Sequence, residues 1–190
     1  MPVCAVRVNS LLERVNFVGQ EILNELEQLH EETFDHSIDT GRICEFLARK
    51  SGLNVEYSKY LGEFHDVGKV EIAREHYEIL TKENLSKEEF CEFIVPHQNN
   101  ETARFIAQCY PEVELHHEKI DGSGYKKVPG NKLNKYARIL AVADIYSALT
   151  LPREYRKNSK PALSHEEAIA LMRKMPIDQY FVDLLVNYKR

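Results

Sequence analysis

Apolar residues between Val8 and Leu29 fall at Val8, Leu12, Val15, Ile22, Leu26 and Leu29, in alternating steps of four and three, with Gly19 in the one seam position that breaks the series. Steps of that size put side chains on one face of a helix. Three such repeats are at the lower limit for a coiled coil, so the pattern predicts an amphipathic helix that either packs on its own domain or forms a homodimer seam. Further periodicity predicts helices over 34–50, 56–73, 86–95, 99–109, 135–150, 164–174 and 178–188. Ser86-x-x-Glu89 and Ser164-x-x-Glu167 are capping boxes, in which hydroxyl and carboxylate satisfy orphaned backbone N–H groups. No stretch sustains the alternation of a strand, and Gly and Pro collect between Asp121 and Gly130 and between Pro152 and Pro161. The expected class is all-α, a single-domain helical bundle, with residues 1–29 as an N-terminal helix and 30–190 as the body.

Composition narrows the partners more than the fold. At 190 residues and 43% hydrophobic, the chain fits one domain with a real core. A net charge of −5 argues against a sequence-independent grip on duplex nucleic acid, which needs excess Lys and Arg. A small anionic ligand remains allowed, because clustered metal cations reverse the local field. Cys4, Cys44, Cys91 and Cys109 are scattered without a CxxC pair and read as core thiols. No apolar run approaches the roughly 18 residues of a membrane span, and Met1-Pro2-Val3-Cys4 does not open a leader peptide. The expectation is a soluble cytoplasmic protein that is not membrane-bound.

Metal chemistry is carried by the order of histidines and carboxylates. His65-Asp66 stands in a predicted helix; His97, then His116-His117-Glu118, then Asp144 in the apolar run Ile139 to Tyr146 follow it. Glu32 and His36 precede it, four apart and so on one helix face. Each histidine alone is more often a hydrogen-bonded structural residue than a ligand. Jointly the pattern points the other way, since an unpaired Asp144 inside an apolar run would be costly and coordination is the usual compensation. His30, His76 and His165 have polar neighbours and are expected to face solvent. Imidazole and carboxylate without thiolate suit iron, manganese, zinc or nickel. The eight candidates, Glu32, His36, His65, Asp66, His97, His116, His117 and Asp144, exceed a closed tetrahedral site and imply at least two metals.

The series His36, His65-Asp66-x-Gly68-Lys69, His97, His116-His117-Glu118-x-x-Asp121-Gly122-x-Gly124-Tyr125 and Asp144-x-x-x-Ala148-Leu149-Thr150 resembles the HD-GYP branch of the HD-domain metallophosphohydrolases, from about residue 30 onward. The resemblance implies an all-helical bundle, two or three divalent ions (iron or manganese, with nickel or zinc as alternatives), and hydrolysis of cyclic di-GMP by a metal-bridging hydroxide. It implies His65, Asp66, His97, His116, His117 and Asp144 as core ligands, with His36 and Glu32 serving an outer metal. Glu32 could equally be a helix-surface carboxylate. Asp66 and Lys69 become the catalytic pair, Lys69 stabilising the phosphate or a water near the leaving group; the alternative is a surface lysine. Arg153 and Arg156 match positions that grip substrate phosphates in similar proteins, as guanidinium forks do, although a solvated basic loop would look the same. Tyr125 could stack on a base or simply pack its loop.

One departure bears on the substrate. The family loop reads Gly-Tyr-Pro followed by Gly-Leu, whereas this chain has Gly124-Tyr125-Lys126-Lys127-Val128-Pro129-Gly130. Proline would stiffen the loop; the lysines could instead meet phosphate, while Asp121-Gly122 forms a tight turn in either case. The expected activity is therefore a cyclic-dinucleotide phosphodiesterase, with three alternatives left open. These are an HD-type hydrolase of another nucleotide, such as a hybrid cyclic dinucleotide or a nucleoside monophosphate, a non-catalytic cyclic-dinucleotide sensor, and a di-iron oxygenase.

Overall fold

The computed structural model describes residues 10–71, 100–152 and 161–190. Among these the secondary structure is helical throughout, as the periodicity requires. Helix α1 (Leu11–Leu29) opens on a capping box the sequence reading passed over: Ser10 Oγ accepts from Glu13 N at 3.1 Å, and Glu13 accepts from Ser10 N at 3.0 Å. His30 joins α1 to α2 (Glu31–Ser51). Its main-chain N–H closes α1 on Leu26 O at 2.7 Å and its Nδ1 accepts from Thr33 N at 3.2 Å. This histidine is buried, a correction to the solvent-facing expectation: the joint consumes its polar atoms, which its charged neighbours in sequence did not reveal. His165 is also only partly exposed, with Nδ1 2.7 Å from the Tyr146 hydroxyl. His76 lies outside the described residues, as do the 86–95 helix and the Ser86 box.

Helix α2 ends at Gly52, whose φ of 71° is left-handed. Asn54 then caps α3 (Val55–Phe64), which is shorter than the expected 56–73 helix. Beyond Phe64 the chain winds by i to i+3 bonds, with Val67 N on Phe64 O at 3.3 Å and Val70 N on Val67 O at 3.1 Å. Asn100 caps α4 (Glu101–Ala107), and a 3₁₀ turn at Pro111–Leu115 leads into the His116-His117 doublet. A second 3₁₀ turn at Gly130–Lys132 precedes α5, Lys135–Thr150, which has the expected bounds. The Ser164–Glu167 box opens α6 (His165–Met172), and Asp178 caps α7 (Gln179–Leu185).

Helix α5 is central. Ile139, Leu140, Val142 and Ala143 are fully buried around it, as expected of a helix apolar on several sides. It packs on α2, which also packs on α3 and α1. The α2–α3 contact is close because glycines meet there: a β-carbon on Gly62 would lie 2.7 Å from Gly41 Cα. The α1 seam residues Val15, Gly19, Ile22 and Leu26 are buried within this same domain. Among the described residues, no helix is long and apolar enough to cross a membrane.

Candidate metal centre

Four segments converge at one end of the α2–α3–α5 layer: His36 from α2, His65-Asp66 after α3, His116-His117 after the first 3₁₀ turn, and Asp144 from α5. The break in α3 sets the aim of His65. Its Nδ1–H donates to Gly62 O at 2.7 Å, which leaves a lone pair on Nε2 pointing inward. His116 repeats the device, donating Nδ1–H to Val113 O at 2.5 Å. Both rings are buried, yet neither Nε2 has a hydrogen-bond partner among the described residues. Orphaned buried nitrogens are costly unless something else takes their lone pairs.

The carboxylates lie where that something would sit. Asp66 Oδ2 is 3.3 Å from His65 Nε2 without hydrogen-bond geometry, and 3.9 Å from His36 Nε2; Asp66 Oδ1 is 3.9 Å from His116 Nε2. Asp144 Oδ1 is 3.0 Å from His36 Nε2 and 3.7 Å from His65 Nε2. Two sets, His36/His65/Asp144 and His116/His117/Asp144, each bring three ligand atoms within 4.8 Å of one another, sharing Asp144. Nitrogen and carboxylate donors with inward lone pairs fit divalent first-row cations.

Charge states agree with that fit at His36, His116 and His117, whereas the carboxylates beside His65 favour its protonated form until a cation displaces the proton. Burial, reinforced by His117 and His65, lowers the pKa of His116 to about 3, and burial holds His36 and His117 below the ordinary imidazole value. For His65, burial again pulls down, but the Asp66 and Asp144 carboxylates outweigh it and raise the pKa. Burial pushes Asp66 up, and Lys69, His65 and His116 more than reverse that, so it stays ionised. Asp144 is likewise held below its usual value by His36, His65 and His116 against its burial.

Lys69 is mostly buried and its ammonium pairs with Asp66, so it is not a free surface lysine. Glu32 is half-buried one turn before His36, outside both three-ligand sets. His97, Arg153 and Arg156 lie outside the described residues. Tyr125 is half-exposed, its ring 5.0 Å from that of His117. Together with Phe64, Val67, Val113 and His116 it borders a cavity of about 130 Å³. Lys126 pairs with Glu114 at 2.7 Å, with both side chains well exposed.

Two residues without an assigned role in the sequence organise the centre. Glu118, buried directly after the doublet, accepts from Lys126 N and Val128 N, each at 2.7 Å, and so ties the tyrosine loop to the ligands. Gly124 makes this possible: a β-carbon there would stand 2.6 Å from Glu118 Cα. The expected tight turn is present, with Asp121 Oδ1 accepting from Ser123 N at 2.9 Å and Gly122 at φ 76°. The second residue is Ser147, whose hydroxyl lies 3.0 Å from His36 Nδ1. The signal for Glu118 was its place beside two ligands; Ser147 shares a helix face with Asp144, three residues away.

Comparison with known proteins places this architecture. The HD domain family model matches residues 18–181. A 3'3'-cGAMP-specific phosphodiesterase of Vibrio cholerae (phosphodiesterase 1) is 31% identical over 173 residues, 85% of this chain and 38% of that protein. A cyclic di-GMP phosphodiesterase from the same organism is 30% identical over 169 residues, 77% of this chain and 33% of that protein. The chain thus spans about a third of the length of these relatives. Among solved structures, the HD domain of the L. monocytogenes phosphodiesterase PgpH, in complex with cyclic-di-AMP, superposes with a TM-score of 0.58 at 14% identity, covering 90% of this chain and 98% of that one. The chain belongs to the HD-domain family.

Proposed function

We propose that the chain is a metal-dependent phosphodiesterase of the HD-GYP type that opens a cyclic dinucleotide, cyclic di-GMP first, to a linear product. The observation that carries this reading is the pair of orphaned, buried Nε2 atoms of His65 and His116 facing Asp66 and Asp144. In this reading His36, His65, Asp66, His116, His117 and Asp144, with His97, hold two divalent ions, iron or manganese, and Glu32 serves a third. When bound, such ions acidify a water and neutralise charge on a phosphoryl oxygen. The chain's own residues do the rest. Lys69 uses one ammonium proton on Asp66 and has two more to offer a phosphate or a departing oxygen. The cavity of about 130 Å³ beside Tyr125 is comparable to the roughly 150 Å³ that holds one aromatic ring, so it takes part of a purine base and leaves the rest against the half-exposed Tyr125. Arg153 and Arg156 are assigned to the substrate's phosphates.

A hybrid cyclic dinucleotide is the second reading. It is favoured by the Lys126–Glu114 pair where the family loop carries proline, and by relatives named as 3'3'-cGAMP-specific. Protein loaded anaerobically with iron or manganese, then incubated with cyclic di-GMP, 3'3'-cGAMP or cyclic-di-AMP, is expected to release linear dinucleotide by chromatography, and Asp66→Ala is expected to release none. Tight binding without turnover by protein carrying at least two metals would overturn the enzyme reading in favour of a sensor.

A further inference from the structure

His36 is held differently from its neighbours. His65 and His116 each donate Nδ1–H to a main-chain carbonyl, a group that only accepts, and so their Nε2 lone pairs are fixed toward the centre. His36 Nδ1 faces the Ser147 hydroxyl at 3.0 Å instead, and a hydroxyl can donate or accept. On its other side, His36 Nε2 lies 3.0 Å from Asp144 Oδ1. An ionised carboxylate only accepts, so without metal the shared proton belongs to Nε2, and Nδ1 takes the Ser147 hydroxyl proton. Ligation through Nε2 requires the opposite arrangement. One proton must leave Nε2, one must be taken up at Nδ1, and the Ser147 hydroxyl must turn to accept it; the ring's total proton count is unchanged. Ser147 is fully buried and is the one hydrogen-bond partner of Nδ1 among the described residues.

We infer that Ser147 is a positioning residue that lets the His36 ring change from a metal-free tautomer protonated at Nε2 to a ligating tautomer protonated at Nδ1. The inference rests on the metal-site part of the proposed function and is independent of the substrate. Orienting partners of this kind typically contribute about 10- to 100-fold to metal affinity. The test uses metal-free protein and zinc(II), a diamagnetic probe, with long-range ¹⁵N–¹H correlation of the histidine rings and no substrate present. His36 is expected at Nε2–H before zinc and at Nδ1–H after it. In Ser147→Ala the zinc equivalent that moves the His36 signals should weaken about 10-fold or more, measured well below the thermal melt, which falls because the buried Nδ1 of the metal-free ring loses its donor. Ser147→Thr, which keeps the hydroxyl, should bind within a few-fold of the parent.

A metal-free His36 already protonated at Nδ1 would overturn the inference, and that measurement needs no variant. Ser147→Ala binding zinc as tightly as the parent would overturn it too. Zinc that leaves every His36 signal unmoved would remove the metal-site reading along with it. Zinc binding as expected, in a protein that cleaves no cyclic dinucleotide, would leave the inference standing and end the substrate reading.

Discussion

Gly19 on α1 meets the ring of Phe64, the last residue of α3, so closely that a β-carbon on Gly19 would lie 2.6 Å from Phe64 Cζ. The gap in the apolar seam of α1 is therefore the socket for an aromatic ring from the residue just before His65. Phe64 is fully buried, between Tyr60 at 5.4 Å and Tyr110 at 5.6 Å between ring centroids, and has nowhere to retreat. Gly19→Ala is expected to cost about 1–3 kcal/mol through overpacking, partly offset by about 1 kcal/mol of gained helix propensity. Urea denaturation of the metal-free protein measures it. A variant as stable as the parent would mean that the ring yields freely.

Metal removal should be felt by the whole fold. Six candidate ligands come from four segments, so ions that bind only the folded form shift unfolding by mass action, about 2.7 kcal/mol at 100 times the Kd. Adding a chelator is expected to lower the Tm of metal-loaded protein and to leave His116→Ala, already short of a ligand, less affected. Calorimetry with and without chelator decides it; equal Tm values would mean that no ion is held by the native state.

The Glu118 carboxylate gives a local prediction. Each of its oxygens receives one backbone N–H, from Lys126 and Val128. Glu118→Gln presents an amide NH₂ to one of those donors, leaving it unsatisfied at about 1–3 kcal/mol. Faster hydrogen exchange at the Lys126 and Val128 amides, with α5 unchanged, is the expected result. If the proposed activity is present, its KM should rise more than its kcat falls, because the loop carries Tyr125 and no candidate ligand.

Much of this site could be read before any coordinates, for a physical reason: a largely buried carboxylate in an apolar run, as in Asp144, has few tolerable explanations. The bounds of α5 were legible too, since its apolar stretch lies between the two segments where Gly and Pro collect. The break after Phe64 was missed because Leu61, Phe64, Val67 and Val70 are all buried at steps of three, a spacing that suits an α-helix face in part and a 3₁₀ winding throughout. Where Nδ1 of each histidine finds its partner was illegible from the linear sequence: Gly62, Val113 and Ser147 are ordinary residues until the chain folds them against a ring.

Alkaline pH should expose a second polar network, one that contains no histidine. Tyr57 donates to Glu112 Oε2 at 2.5 Å, and Asn134, the cap of α5, donates to Glu112 Oε1 at 2.6 Å. Burial first, then the hydrogen bond to Glu112, raises the Tyr57 pKa; Tyr110, bonded to Asn16 Oδ1 at 2.6 Å, is also raised by burial. An unfolded tyrosine ionises near about pH 10. Below that, both states keep the proton and the contribution is fully present. Above it the unfolded chain binds fewer protons than the native one, so stability falls as pH rises toward the folded pKa. Tyr57→Phe removes one such group: stability should drop at neutral pH by about 1–3 kcal/mol, because Glu112 loses a donor, and the decline above pH 10 should become shallower. Urea midpoints from pH 8 to 11.5, read with tyrosinate absorbance, test both signs at once, and an unchanged alkaline slope would mean that the Tyr57 hydroxyl ionises in the native state as it does in the unfolded chain.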